Sequence, residues 1–109
     1  MSTSNGLEYH TVTIASGAAV SSAARLDGRR LVGWLNPGTL TNTAFDVQHS
    51  RDGGTNFYDI TALKAVSVTV DEWTTIDPAD ACLAQYVRLQ GSGNEGAERT
   101  VILVSMQIV

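Results

Sequence analysis

The sequence predicts an all-β fold, an antiparallel sandwich of two sheets with about eight strands. Apolar and polar residues alternate with a period of two in several short segments, as in half-buried strands. Turn signals rich in Gly, Asn, Asp and Pro separate these segments about every 8–12 residues. No stretch carries a helical pattern longer than one turn. The 109 residues therefore indicate a single β domain.

Four strands are predicted in the first half of the chain, with turn signals between them. Val12 and Ile14 point to one side of the first strand, and Trp34 lies in the third. The sequences Asp27-Gly28 and Asn36-Pro37-Gly38 are typical of turns, since Gly, Asn, Asp and Pro adopt turn conformations at low cost. The predicted strands are residues 11–15, 20–26, 31–35 and 45–50.

Residues 45–60 predict a β-hairpin, because an alternating segment, a glycine-rich turn and returning aromatic residues follow one another. The carboxylate of Asp52 is expected to accept backbone N–H bonds in the turn, and glycine supplies positive φ. The expected turn residues are Ser50, Asp52, Gly53 and Gly54. Their spacing is similar to the Asp-box hairpin of sialidases. A single copy in a chain too short for a propeller implies a stable hairpin and not glycosidase chemistry.

The second half is predicted to contain four more strands, at residues 65–70, 73–76, 86–89 and 99–109. Val66, Val68 and Val70 are expected on one face of the first of them. Asp77 is placed to cap a single helical turn that begins at Pro78. Residues 91–96 are rich in glycine and predict a loop.

The last strand is apolar on both faces. Ile102 and Val104 lie on one face, and Val101 and Leu103 lie on the other. One face of a two-layer antiparallel domain normally contacts water, so the outward side of this strand needs a cover. A long loop of the same chain or a neighbouring subunit would provide it. The small size and low charge of the chain favour the neighbour.

The composition limits the classes of partner. A net charge of −4 argues against a nucleic-acid partner, which requires a basic face. No apolar run reaches the ~20 residues that span a bilayer, so no membrane partner is expected. Cys82 is the single cysteine and the first six residues do not resemble a signal peptide, so we expect folding in a reducing cytoplasm. Residues 1–9 are expected to form a flexible N-terminal arm and residues 10–109 one β-sandwich domain.

No catalytic site is predicted. His10 and His49 show no metal-ligand spacing, and Gly91-Ser92-Gly93 lacks the following helix of a nucleophile elbow. The acidic residues do not follow an EF-hand pattern, so a structural calcium ion is a minor alternative. We therefore expect no enzyme activity, no metal and no cofactor.

The order of segments over residues 10–108 resembles one family. The segments are TIASG at 13–17, VSSAARLDG at 20–28, LVGW at 31–34 and YVRLQGS at 86–92, followed by a final strand. In this order they resemble small jelly-roll virion proteins of tailed bacteriophages, in particular capsid decoration (cement) proteins. The resemblance implies a jelly-roll-like sandwich that binds the outside of an assembled head, bridges major capsid subunits and acts as a homodimer or homotrimer without cofactor or catalysis.

This interpretation places the chain on the capsid surface of a virion after synthesis in the host cytoplasm, with the major capsid protein as its partner. The residues expected at the interface are Ser2, Thr3, Leu7, Trp34 and Ile108. A carbohydrate-binding module of a phage tail or fibre is the alternative function, because aromatic side chains on a sandwich face stack on sugar rings.

Overall fold

The computed structural model describes residues 6–81 and 85–107. These residues form nine β-strands and two short 3₁₀ turns, Thr61–Leu63 and Pro78–Ala81. The strands are β1 (Leu7–Ile14), β2 (Ala24–Arg25), β3 (Arg30–Leu35), β4 (Ala44–Ser50), β5 (Tyr58–Asp59), β6 (Val66–Ser67), β7 (Trp73–Thr75), β8 (Tyr86–Gln90) and β9 (Arg99–Met106). The described part of the chain contains no helix with the length and hydropathy of a membrane span.

The strands form two antiparallel sheets. The four-stranded sheet has the order β1-β9-β3-β7. The five-stranded sheet has the order β2-β8-β4-β5, and β6 pairs with the start of β4. The two-residue β6 is an addition to the edge of the second sheet. Of the other eight strands in chain order, the first, eighth, third and sixth (β1, β9, β3 and β7) form one sheet, and the second, seventh, fourth and fifth (β2, β8, β4 and β5) form the other. This is the jelly-roll arrangement. The predicted all-β antiparallel sandwich is confirmed.

The core lies between the inward faces of the two sheets. Val12 and Ile14 are buried there, as their alternation predicts. Trp34 and Phe45 are the largest side chains in this layer, and each is at most 1% exposed. The remaining buried apolar residues of this core are Ala24, Leu26, Leu31, Val47, Leu63, Ala81, Val87, Leu89, Val101 and Leu103. Both sheets therefore contribute alternate residues to one core.

A β-bulge in β3 interrupts the alternation and decides which residues face the core. Leu31 pairs with Ser105, but Gly33 pairs with Val104, so β3 carries one extra residue at this point. As a result Leu31 and Trp34, three positions apart, are both fully buried. A Cβ atom at residue 33 would lie 2.3 Å from the backbone oxygen of Thr74 on β7, so only glycine fits here.

Two predicted strands are much shorter in the structure than their patterns indicate. Residues 20–26 contribute only Ala24–Arg25, because the segment crosses between sheets and makes isolated bridges before it pairs with β8. Residues 65–70 contribute only Val66–Ser67. Ala65 there has a φ of 52°, and its N–H donates to Asp46 Oδ1 at 2.6 Å. Val70 is 40% exposed and does not continue the apolar face.

The two ends of the domain differ from the expected boundaries. β1 begins at Leu7, so residues 7–9 belong to the four-stranded sheet and not to an arm, because they pair with the end of β9. β9 is described as strand up to Met106. Residues 1–5, including Ser2 and Thr3, and Ile108 lie outside the described residues, as does Cys82.

Local turn chemistry agrees with the sequence. Asp27 and Gly28 both have positive φ, and Arg29 N donates to Leu26 O at 3.0 Å, which closes the expected tight turn. The Asp77 carboxylate accepts the N–H of Ala79 at 3.0 Å, at the start of the 3₁₀ turn that begins at Pro78. Both turns form where their residue types predict them.

Candidate binding face on the four-stranded sheet

The outward face of the four-stranded sheet is apolar. Tyr9, Val104 and Gly33 lie opposite one another on β1, β9 and β3, so they share this face. Tyr9 on β1 and Trp73 on β7 are each 54% exposed, and Met106 is 37% exposed. Exposed contiguous apolar surface on a small domain is typical of an interaction site. We call this surface the aromatic face.

The two aromatic rings of this face come together although their strands are at opposite edges of the sheet. The ring centroids of Tyr9 and Trp73 are 6.4 Å apart, with an angle of 52° between the planes. Between them lies a groove of about 190 Å³ whose lining includes Val32, Gly33 and Val104. Gly33 lies in this lining, where the backbone of Thr74 leaves no room for a side chain. The groove is large enough for one or two protein side chains but not for an extended ligand.

These rings account for part of the cover that the last strand requires. Val104 is only 6% exposed although it faces outward. Tyr9 and Trp73 line the same groove as Val104, so side chains of the same sheet shield it, and neither a long loop nor a neighbouring subunit is needed at that position. The apolar surface that a partner can reach therefore consists of the half-exposed rings of Tyr9 and Trp73 and not of Val104.

The outward face of the five-stranded sheet has the opposite character. Gln48 Nε2 donates to Asp59 Oδ1 at 3.0 Å and to Gln90 Oε1 at 2.6 Å, and Gln48 Oε1 accepts from Arg88 Nε at 2.8 Å. The Arg88 guanidinium also lies 4.0 Å from the centroid of the Phe57 ring. These polar groups satisfy one another across three strands, so this face is a self-contained solvated surface.

The interface residues expected from the sequence are only partly on this surface. Leu7 lines the groove beside Tyr9 and is half-buried. Trp34 is 0% exposed and lies in the core, so it is not available to a partner as expected. The bulge turns it inward, and Trp73 is the tryptophan on the surface. Ser2, Thr3 and Ile108 lie outside the described residues.

The hairpin turn after β4 is built as its residues predict. Ser50 Oγ accepts the N–H of Gly54 at 3.0 Å and lies 2.6 Å from Asp52 Oδ1. The Asp52 carboxylate in turn accepts both the backbone N–H and the side-chain amide of Asn56, at 3.0 and 2.7 Å. Gly53 and Gly54 have φ of 80° and 87°. The Asn56 and Ser50 hydrogen bonds favour the ionised form and hold the pKa of Asp52 well below its usual range.

A buried carboxylate that the sequence analysis did not single out joins two loops. Glu95 is 1% exposed. It accepts hydrogen bonds from the backbone N–H groups of Thr41 and Asn42 at 2.8 and 3.0 Å, from Asn42 Nδ2 at 2.5 Å, and from Arg99 Nε at 2.9 Å. We call these four residues the Glu95 clamp. No local pattern identifies it, because its partners at 41 and 42 are more than fifty residues away in the chain.

The electrostatics of the Glu95 clamp show that its carboxylate is ionised. Burial raises the pKa of Glu95, but the hydrogen bonds from Thr41, Arg99 and Asn42 outweigh it and bring the pKa down to about 2. Its own N–H donates to Ala18 O at 2.8 Å, so the clamp also holds the loop that follows β1. It lies away from the residues that line the groove and supports the fold.

The hydrogen-bonded pair of His10 and Ser105 does not form an accessible catalytic site. His10 Nε2 lies 2.8 Å from Ser105 Oγ, but Ser105 is 0% exposed and also accepts from Arg29 Nε at 2.8 Å. A nucleophile must reach its substrate, and this hydroxyl does not contact solvent. Within residues 6–81 and 85–107, no group of three or more His, Cys, Asp or Glu side chains is placed to hold a metal ion.

Two arginine residues near β2 and β3, Arg25 and Arg29, are engaged within the chain. Arg25 Nε lies 2.5 Å from Asp27 Oδ1, with both side chains 63% exposed. Arg29 contacts Glu8 at 3.6 Å in addition to Ser105.

No family model, no curated protein and no solved structure matches this chain.

Proposed function

We propose that this chain is a structural virion protein, a capsid decoration protein that binds the outside of a bacteriophage head and stabilises it by bridging major capsid subunits. The observation that carries the proposal is the aromatic face, with Tyr9 and Trp73 each 54% exposed on one side of the sandwich. Large aromatic side chains are the residues that most often dominate protein–protein binding energy. The partner is the major capsid protein, and the place of action is the capsid surface.

The contrast between the two faces supports a single docking side. The outward side of the five-stranded sheet is occupied by hydrogen bonds among Gln48, Asp59, Arg88 and Gln90. A surface whose polar groups already satisfy one another gains little from a partner, whereas burial of two half-exposed aromatic rings is favourable by about 25 cal/mol per Å². The aromatic face is therefore the side that would lie on the shell.

Many linked copies of a small contact can bind a capsid stably even when one copy binds weakly. A groove of about 190 Å³ accepts one or two side chains of a partner, which gives a modest affinity for one copy. Linked contacts on an ordered shell raise the overall affinity by a factor of about 10²–10⁴. The jelly-roll topology is compatible with this role, but only by analogy, because one fold serves many functions.

Binding to purified heads tests the proposal. The heads come from the phage whose genome encodes the chain, after removal of the bound protein, and occupancy is measured by quantitative gel. Trp73→Ala is expected to reduce occupancy, while Tyr58→Ala, which removes an equally exposed ring from β5 on the other sheet, should leave it unchanged. If the wild-type chain does not bind heads, or both variants bind as it does, the proposal is wrong.

A carbohydrate-binding module of a tail or fibre remains the second candidate, because two exposed aromatic rings beside a groove are the elements of a sugar-binding platform. The lining weighs against it. Thr74 and Thr75 are the polar residues among those that line the groove, and a sugar requires several hydrogen-bonding groups. A glycan array probed with wild-type chain and Trp73→Ala decides between the two. A signal that depends on both a sugar and Trp73 would favour the module.

A further inference from the structure

Arg30 is a cation without a counter-ion at one end of the aromatic face. The pairing of β3 with β9 places Arg30 opposite Met106, so both side chains lie on the outward side of the four-stranded sheet. Among residues 6–81 and 85–107, the Arg30 side chain forms no ion pair or hydrogen bond, and its buried Nε atom has no acceptor. Because an unsatisfied buried donor of a charged group is costly, an anion that reaches this guanidinium is favoured.

The other cations of the described chain differ from Arg30. Those that form ion pairs with carboxylates of the same chain are Arg25, Arg29, Lys64 and Arg99. Arg88 donates to Gln48 Oε1 and covers the Phe57 ring. Arg51 is exposed in the turn after β4. Arg30 is therefore the half-buried cation whose charge the described residues leave unpaired.

Arg30 lies next to the groove of the aromatic face. The register places Arg30 and Met106 in one row across the sheet, and the next row on the same side contains Gly33 and Val104, which line the groove. Two residues of β9 separate the rows, a distance of about 7 Å along the strand. One short segment of a partner can therefore contact the cation and enter the groove at the same time.

The strand-paired part of this face contains no carboxylate. The residues that the pairings of β1, β9, β3 and β7 place on the outward side are apolar, aromatic, threonine or glycine, with Arg30 as the one charged side chain. A second copy packed face to face would therefore present a cation and no anion to Arg30. Both guanidinium groups would stay unpaired, so charge complementarity selects a partner of different chemistry, one that supplies a negative charge.

We propose that Arg30 and the aromatic face form one site for an acidic and apolar segment of a partner protein. A carboxylate of the segment binds Arg30, and a large apolar side chain two positions away enters the groove between Tyr9 and Trp73. Alternate residues of an extended segment lie on the same side, about 7 Å apart, which matches the spacing of the two rows. Trp, Tyr and Arg are also the residues enriched among those that dominate binding energy. This inference rests on the proposed function, since it takes the aromatic face as the docking side and names the chemistry of the segment that docks there.

The overall charge of the chain is compatible with a short acidic segment and not with a polyanion. A net charge of −4 repels an acidic partner at long range, but salt at physiological concentration screens exposed charges beyond about 8 Å. A carboxylate in contact with Arg30 is well inside that distance. A nucleic acid would require several cations on the face, and the strand-paired residues provide one.

Titration of the ¹⁵N-labelled chain with short peptides, followed by NMR, tests this chemistry without a capsid. The probe is a blocked peptide, Gly-Asp-Gly-Leu-Gly, whose aspartate and leucine are two positions apart. Two matched peptides replace the aspartate by lysine or the leucine by alanine. The indole N–H signal of Trp73 reports on the groove, and that of the buried Trp34 is the internal reference. The probe should shift the Trp73 signal with a dissociation constant on the order of 1 mM, and both matched peptides should bind at least about fivefold more weakly.

Substitutions of Arg30 separate its charge from the groove. Arg30→Gln should weaken binding of the aspartate peptide at least about fivefold, because only the groove remains. Arg51→Gln makes the same change in net charge in the turn after β4, on the other sheet, and should leave binding unchanged. Arg30→Glu should reverse the preference, so that the lysine peptide binds more tightly than the aspartate peptide. A dispersed amide spectrum establishes that each variant is folded.

Three results would overturn the inference: equal affinity of the wild-type chain for the aspartate and lysine peptides, a Trp73 signal that no peptide shifts at about 10 mM, or wild-type affinity of folded Arg30→Gln. On purified heads, Arg30→Gln should lower occupancy relative to Arg51→Gln. Peptide binding that depends on Arg30, together with no binding to heads, would retain the inference and reject the proposed function. Head binding that Trp73→Ala weakens and Arg30→Gln does not would retain the proposed function and reject the inference.

Discussion

Replacement of Glu95 by glutamine tests how much the buried clamp stabilises the domain. The wild-type carboxylate accepts from Thr41 N, Asn42 N, Asn42 Nδ2 and Arg99 Nε. The amide of Glu95→Gln has nearly the same shape but only one acceptor oxygen, and its NH₂ group must face donors on the other side. The substitution leaves donors without an acceptor and Arg99 without a counter-ion.

Two independent arguments give the size of the effect. The pKa of Glu95 falls from 4.5 to about 2 on folding, which corresponds to about 3 kcal/mol of stabilisation of the ionised form. Unsatisfied buried donors cost about 1–3 kcal/mol, and an unpaired buried charge costs more. The Arg99 side chain is 17% exposed, so water partly compensates its loss. We expect Glu95→Gln to lose about 2–4 kcal/mol and on the order of 10–20 °C in Tm.

The dependence on pH has a definite sign. The folded pKa of Glu95 lies below its unfolded value, so its contribution is complete above pH 4.5 and is lost as the pH falls toward about 2. Glu95→Gln has no such group. The difference in unfolding free energy between wild type and variant should therefore be largest at neutral pH and shrink below pH 4.5.

Urea unfolding followed by tryptophan fluorescence is a suitable assay, because Trp34 is buried in the core and its environment changes on unfolding. Glu98→Gln is the control, since it makes the same charge change at an exposed position three residues away. A loss below about 0.5 kcal/mol for Glu95→Gln, or a loss equal to that of Glu98→Gln, would refute the reasoning.

Three further predictions concern stability. Gly33→Ala should cost at least about 1–3 kcal/mol in chemical unfolding, because its Cβ would collide with a backbone oxygen of β7, whereas Gly93→Ala, with no atom within 4 Å of its Cβ, should cost little. Trp34→Ala should cost about 3–5 kcal/mol, and Trp73→Ala much less, since only Trp34 is buried; equal melting temperatures would contradict this. Asp52→Asn should lower the melting temperature above pH 3.8, because the depressed pKa of Asp52 in the folded state means that its ionised form stabilises the fold. The melting temperature of the variant should also fall less steeply than that of the wild type as the pH is lowered below 3.8, and identical pH profiles would contradict this prediction.

Much of the fold follows from local patterns in the sequence. The alternation that places Val12 and Ile14 in the core, the capped turn at Asp77 and the hairpin turn around Asp52 all depend on residues within a few positions of one another. Period-two burial and turn conformations are local properties of the backbone, and therefore the residue types alone determine them. The all-β class and its antiparallel sheets follow from the same patterns.

The binding face and the clamp depend on how distant strands pair. The bulge beside Gly33 turns Trp34 inward, and the sheet order brings Tyr9 and Trp73, from opposite edges, within 6.4 Å. Glu95 meets its backbone donors only because two loops are folded together. A one-residue change in register reverses which side chains face outward. The sequence alone determined the strands and turns, whereas the tertiary pairing decided which tryptophan a partner can reach, because only the pairing sets that register.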